Sequence, residues 1–245
     1  MHSSPRPCHP ADSRYWVTHF WLPLLVMALV LTLFEATPLD VRLAGFWYKM
    51  EGGEWALRNH WFTYQVMHHW GKRLIIGFGL ALLFLYAASW KIESLRRWRW
   101  SLLFSLSAMI LVPSCVAILK RLSGVPCPWS VENFGGSLPY LHSFQYLTAP
   151  AAGHCFPAAH ASSGFGLFAL YFAFAPFLAK NRCLLLLPGL IVGFSFGLAQ
   201  QLRGAHYLSH DLWSATIAWL GLVLMSALAW RFAPPAHPPW QEPET

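Results

Sequence analysis

The segment QQLRGAHYLSHD, residues 200–211, holds Arg203, His206, His210 and Asp211 between two long apolar runs. The same kinds of side chain recur at two other places. Lys120 and Arg121 close an apolar run, and His154 and His160 precede another. Their common character is cationic. Lysine and arginine suit phosphate oxygens, arginine through paired N–H bonds. Imidazole near neutral pH serves as a nucleophile or as a general acid and base. No carboxylate cluster of the kind Mg²⁺ prefers accompanies them. These residue types point to metal-independent phosphoryl chemistry. A second chemistry stays open: His206 and His210, four apart, can share a metal on a helix, with His160 as a third ligand. Against it, no glutamate base stands beside the first histidine.

For such residues to act together, the elements that carry them must end in one layer. Hydrophobic residues make up 56% of the 245 and charged residues only 11%, where soluble domains carry roughly 25% charged residues. A chain this poor in charge cannot clothe a water-facing surface, so the reading is an integral membrane protein. Six runs are long enough to cross a bilayer: residues 15–34, 74–90, 102–119, 163–179, 183–199 and 212–230. Residues 1–14 form a polar N-terminal tail, 15–233 one six-helix membrane domain, and 234–245 a Pro-rich C-terminal tail. The fold class is all-α, about six transmembrane helices in a bundle.

Basic residues in short loops set the orientation. Lys91, Arg96, Arg97 and Arg99 follow the second run, residues 180–182 follow the fourth, and Arg231 follows the sixth. If the helices alternate, all lie on one side, which becomes the cytoplasm together with both termini. Loops of this kind absorb the excess of Lys+Arg 17 over Asp+Glu 10, so nucleic acid is not an expected partner. The 14 tryptophans suit the headgroup layer. The opposite side then holds residues 35–73, 120–162 and 200–211, and with them every candidate named above. Residues 44–70 mix tryptophan and phenylalanine with charge and read as an interfacial helical segment between helices one and two. It serves either as a plain anchor or as a path by which lipid reaches the site.

Three segments carry a resemblance. KRLSGVPCPW places Lys120 six residues before Cys127-Pro128, PAAH spans Pro157 to His160, and QLRGAHYLSH contains Arg203, His206 and His210. In order and placement these resemble the three motifs of the type 2 phosphatidic acid phosphatase superfamily, which includes bacterial lipid phosphatases and vanadium haloperoxidases. The resemblance implies that His206 is the nucleophile and His160 the acid that protonates the leaving oxygen. It implies that Lys120 and Arg203 hold the phosphate oxygens and stabilise the charge that develops there. It implies no cofactor.

Four positions depart from the family pattern. Cys127 stands in the arginine slot of the first motif, and Ala158-Ala159 replace Ser-Gly in the second, leaving only backbone N–H groups for the phosphate. Gln200 stands in the arginine slot of the third, with Arg203 one helical turn along on the same face. His210 takes the aspartate slot, where its ring can still orient His206, with Asp211 available to polarise it. A second alignment makes His210 the nucleophile, seven residues after Arg203. Cys127 and Cys155 share the outer loop; if that side is oxidising they can form a disulfide. Cys115 and Cys183 read as core. His154 reads either as a substrate contact or as a residue of the headgroup layer, and the remaining histidines, His68 among them, read as satisfied polar residues.

The expected activity is hydrolysis of a lipid phosphate or diphosphate through a phosphohistidine, on the periplasmic face of a bacterial inner membrane. The alternatives are a lipid A or isoprenoid phosphotransferase of the same family, or a degenerate non-catalytic binder of lipid phosphates.

Overall fold

The computed structural model describes residues 10–142, 145, 153–177 and 181–232. The expected tails lie outside these residues except for positions 10–14. Apolar runs become helices because, in hydrocarbon, each backbone N–H and C=O must be satisfied within its own segment. Among the described residues, five helices are long and apolar enough to span a bilayer. In chain order the elements are α1 (Ser13–Ala36) and α2 (Leu39–Met50), then a π turn (Trp61–Trp70) that runs unbroken into α3 (Gly71–Ala88). Next come α4 (Arg99–Leu122), α5 (Ala159–Phe165) and α6 (Ala169–Phe174), then α7 (Leu187–Leu202) and α8 (Leu208–Phe232). No strand occurs among the described residues. The chain is an all-α, multi-pass membrane bundle. Leu29, Leu80, Phe84, Ile118, Ile191 and Leu228 are exposed on its outside, where lipid rather than water suits them.

Two elements differ from the sequence expectation. The second spanning helix begins at Trp61, not at residue 74. Gln65, His68, His69, Lys72 and Arg73 depress the local hydropathy, yet these residues continue the helix because some of them meet other helices rather than lipid. Only α2 is therefore a separate helix within the segment expected to lie at the interface. The fourth run is helical from Ala159 to Phe177 but alternates α and 3₁₀ turns, and it is mostly buried inside the bundle. Cys115 and Cys183, expected in the core, are exposed on their helices.

Glycine sets the closest packing. Gly189, Gly193 and Gly197 recur every fourth residue along one face of α7. A Cβ at Gly193 would fall on the Phe165 ring, one at Gly189 on Phe168, and one at Gly197 on the Asp211 carboxyl. Gly164 of α5 faces the Gly193 backbone in the same way. Small residues at such a seam let helix backbones approach. The approach brings α5, α7 and α8 together; α5 carries His160, α7 ends at Arg203, and α8 carries His210. The core beneath them is built from Phe104, Val112, Ala161, Phe165, Phe168, Ala218 and Leu222.

Candidate active site

The turn between α7 and α8 is made by one left-handed residue. Gly204 has φ +66°, a conformation other residues resist. Its N–H donates to the Gln201 carbonyl and the Ala205 N–H to the Gln200 carbonyl, both at 2.9 Å. This paired closure is a Schellman motif. The face of Gly204 is covered by the Trp55 ring, and its carbonyl accepts from the Trp129 N–H at 3.0 Å. The chain then passes through Ala205 and His206 and starts α8. The first-turn N–H of Ser209 would otherwise lack a partner. It donates to Asp40 Oδ1 at 3.1 Å, and the Ser209 hydroxyl donates to Asp40 Oδ2. Asp40 of α2 thus caps α8 from a distant part of the chain, a negative charge placed at a helix N-terminus. Burial raises its carboxyl to about 6, opposed by the two Ser209 bonds and aided by Glu35.

His206 and His210 are both buried. Their Nδ1 atoms are 3.4 Å apart, so one ring donates while the other accepts. The backbone of Cys155 lies beside both rings. Cys155 is bonded to Cys127, with Cα atoms 5.2 Å apart, and its own N–H donates to the Val125 carbonyl at 2.9 Å. The residue in the family's arginine slot therefore fixes the backbone on which both imidazoles rest. Burial holds the proton affinity of His206 well below that of an ordinary histidine, helped by the nearby Lys120 cation and by His210. A neutral imidazole is the nucleophilic form. Asp211 does not polarise His210: its Oδ2 accepts from Gln201 Nε2 at 2.7 Å, and the carboxyl packs on Gly197.

His160 lies in the first turn of α5, the second-motif helix. Its ring stacks on Phe196 at 4.3 Å between centroids, and its Nε2 donates to the Met67 carbonyl at 3.0 Å. Lys120 is half-buried at the end of α4, and no carboxylate pairs with it among the described residues. Arg203 is buried. Its Nε donates to the Arg58 carbonyl at 2.7 Å, its Nη1 to Gln200 Oε1 at 3.0 Å, and it lies 4.9 Å over the Tyr64 ring. His154 is exposed and donates from Nδ1 to the Ser123 carbonyl at 2.9 Å, a brace at the end of α4.

Two expected phosphate contacts are already engaged. The Ala158 N–H donates to the His210 carbonyl at 3.3 Å, because the second-motif loop is tied to α8. The Gln200 amide is used at both ends, by Arg203 and by His68 Nδ1 at 3.1 Å. Ala159 opens α5, where first-turn N–H groups have no partner within the helix. The three-histidine metal set is not assembled: among the described residues no group of three or more His, Cys, Asp or Glu is placed to hold an ion.

The first helices supply what sequence reasoning left out. His68, read as a mere satisfied polar residue, has its ring 4.7 Å from that of His160. Tyr64, the Arg58 and Met67 carbonyls, Trp55 and Asp40 complete this side. One signal was present: Tyr64 and His68 are four apart, and residues 35–73 fall on the same membrane face as the motifs. Carbonyl acceptors leave no trace in side-chain identity.

A cationic cluster that includes a neutral, oriented imidazole and a second imidazole is suited to moving a phosphoryl group. No curated protein matches the chain, and no solved structure does. The model of the PAP2 superfamily matches residues 100–234, a stretch that contains Lys120, Cys127, His160, Arg203, His206 and His210 and more than half of the sequence. With these residues gathered at one end of an all-α membrane bundle, the chain belongs to the PAP2 superfamily, and its fold is that of a membrane phosphatase.

Proposed function

We propose that the protein hydrolyses a lipid phosphate or diphosphate through a phosphohistidine on His206, at the periplasmic face of a bacterial inner membrane, with both termini in the cytoplasm. The observation that carries this reading is the His206–His210 pair. With the Nδ1 proton of His206 donated to His210, the lone pair sits on Nε2. That nitrogen attacks phosphorus in line, the bond to the lipid oxygen breaks, and that oxygen takes the Nδ1 proton of a His160 imidazolium, whose Nε2–H stays on the Met67 carbonyl. Water then attacks phosphorus, the P–N bond breaks, and His160 accepts the proton that water loses. Lys120 and Arg203 hold the phosphate oxygens and stabilise the charge that gathers on them. No step in this scheme calls for a metal ion.

The test is inorganic phosphate release by purified protein from phosphatidate, an isoprenoid diphosphate and a lipid A phosphate, with and without a chelator. His206→Ala is expected to abolish release and the acid-labile ³²P label on the protein. Release that survives the substitution would sink the nucleophile assignment. Transfer of the label to a second lipid, in place of water, would identify a phosphotransferase.

A further inference from the structure

We infer that His68 is a hydrogen-bond donor to the substrate phosphate, locked in a single tautomer by Gln200 and Arg203; this rests on the phosphatase reading above. The lock follows from chemistry alone. A guanidinium has donors and no acceptor. Arg203 Nη1 lies 3.0 Å from Gln200 Oε1, which fixes which end of the amide is oxygen. The other end, Nε2, is then the donor, and it lies 3.1 Å from His68 Nδ1. His68 Nδ1 must accept. The ring is therefore neutral, with its only proton on Nε2. A second proton on Nδ1 would set two donors against each other.

The position gives that proton a use. His68 is only half-buried, and its ring sits against His160, the group assigned to the leaving oxygen. His160 is held in place by the carbonyl of Met67, the residue before His68. Gln200 stands where the family pattern carries an arginine, and its amide is fully used as a strut. A donor missing from α7 is thus restored from the π turn, which lies outside the matched residues 100–234. The substitute is neutral, so it adds a directed N–H beside Lys120 and Arg203 without a third positive charge. The bond it makes, Nε2–H to a phosphate oxygen, neither forms nor breaks covalently.

The experiment uses the purified full chain, assayed on phosphatidate and for inhibition by inorganic phosphate. Loss of one preorganised donor costs on the order of 100-fold in kcat. His68→Ala and His68→Asn are expected to show that loss with weaker phosphate inhibition. His68→Gln, which keeps an N–H near the Nε2 position, is expected to recover activity to within about 10-fold. ¹⁵N spectra of histidine-labelled protein are expected to show the Nε2–H form for the signal that His68→Gln removes. If His206→Ala is inactive while His68→Ala retains full kcat, the inference fails and the phosphatase reading stands. Equal impairment of the Gln, Asn and Ala variants would also overturn it, since a packing role would not distinguish them. An active His206→Ala protein would overturn both.

Discussion

The Nδ1 atoms of His206 and His210 face each other at 3.4 Å, so one ring's proton state dictates the other's. A carboxylate in the second position would accept the same proton and also stabilise the resulting imidazolium. A histidine accepts it with less stabilisation. His210→Asp is accordingly expected to keep activity or raise it, whereas His210→Ala is expected to lower kcat by about 10²–10⁴-fold. Steady-state kinetics of the two variants on one lipid phosphate checks this; an Ala variant as active as the parent would remove His210 from the mechanism.

The Cys127–Cys155 bond should matter for activity as well as stability. It anchors the backbone that lies beside both imidazoles. Cross-links of this loop length are typically worth about 2–4 kcal/mol. Cys127→Ser is expected to lower the melting temperature in detergent and to reduce kcat. Reductant should reproduce both effects in the parent and add nothing in the variant. A parent that is indifferent to reductant would contradict the anchoring role.

Gly204→Ala is expected to be costly for two separable reasons. The left-handed backbone costs a residue with a Cβ roughly 1–2 kcal/mol, and that Cβ would also meet the Trp55 ring. Combining it with Trp55→Ala should remove the steric part and leave the backbone part. A double-mutant cycle read by thermal unfolding separates the two. Strict additivity would show that Trp55 does not press on this turn.

Asp40 makes the junction of α2 and α8 sensitive to pH. Its carboxyl moves from 3.8 to about 6 on folding, so the folded protein holds this proton more tightly than the unfolded chain does. Between those values the folded state binds more protons, and the contribution to stability falls as pH rises through the window. It is fully present only below 3.8. Melting temperatures between pH 4 and 7 should show this slope, and Asp40→Asn should flatten it. An unchanged slope in the variant would assign the effect to another group.

Sequence carried the bundle and the convergence of its motifs for a simple reason. Apolar runs report contact with lipid, and alternation across the bilayer then forces Lys120, His160 and His206 to one side. The same measure failed at residues 61–73. Hydropathy cannot tell a polar residue in water from one such as His68 that faces another helix. The Asp40 cap was invisible because it joins positions 169 residues apart and depends on how α2 lies over the start of α8. Ala158 and Gln200 looked available because their residue types say nothing of bonds already made. Those bonds arise from tertiary packing, in the Ala158 case to a carbonyl on another helix.

The π turn at Trp61–Trp70 sets the angular register of everything above it. An α-helix advances about 100° per residue and an i→i+5 helix less, so redrawing these ten residues at α pitch, with none removed, would swing the start of the stretch about the axis relative to α3. At α pitch the His68 imidazole would turn away from Gln200 and the Met67 carbonyl away from His160, while α3 and its lipid-facing side chains stayed as they are. These wide turns thus act as a dial, and a change that alters their pitch is expected to retune or silence the site without touching a motif residue.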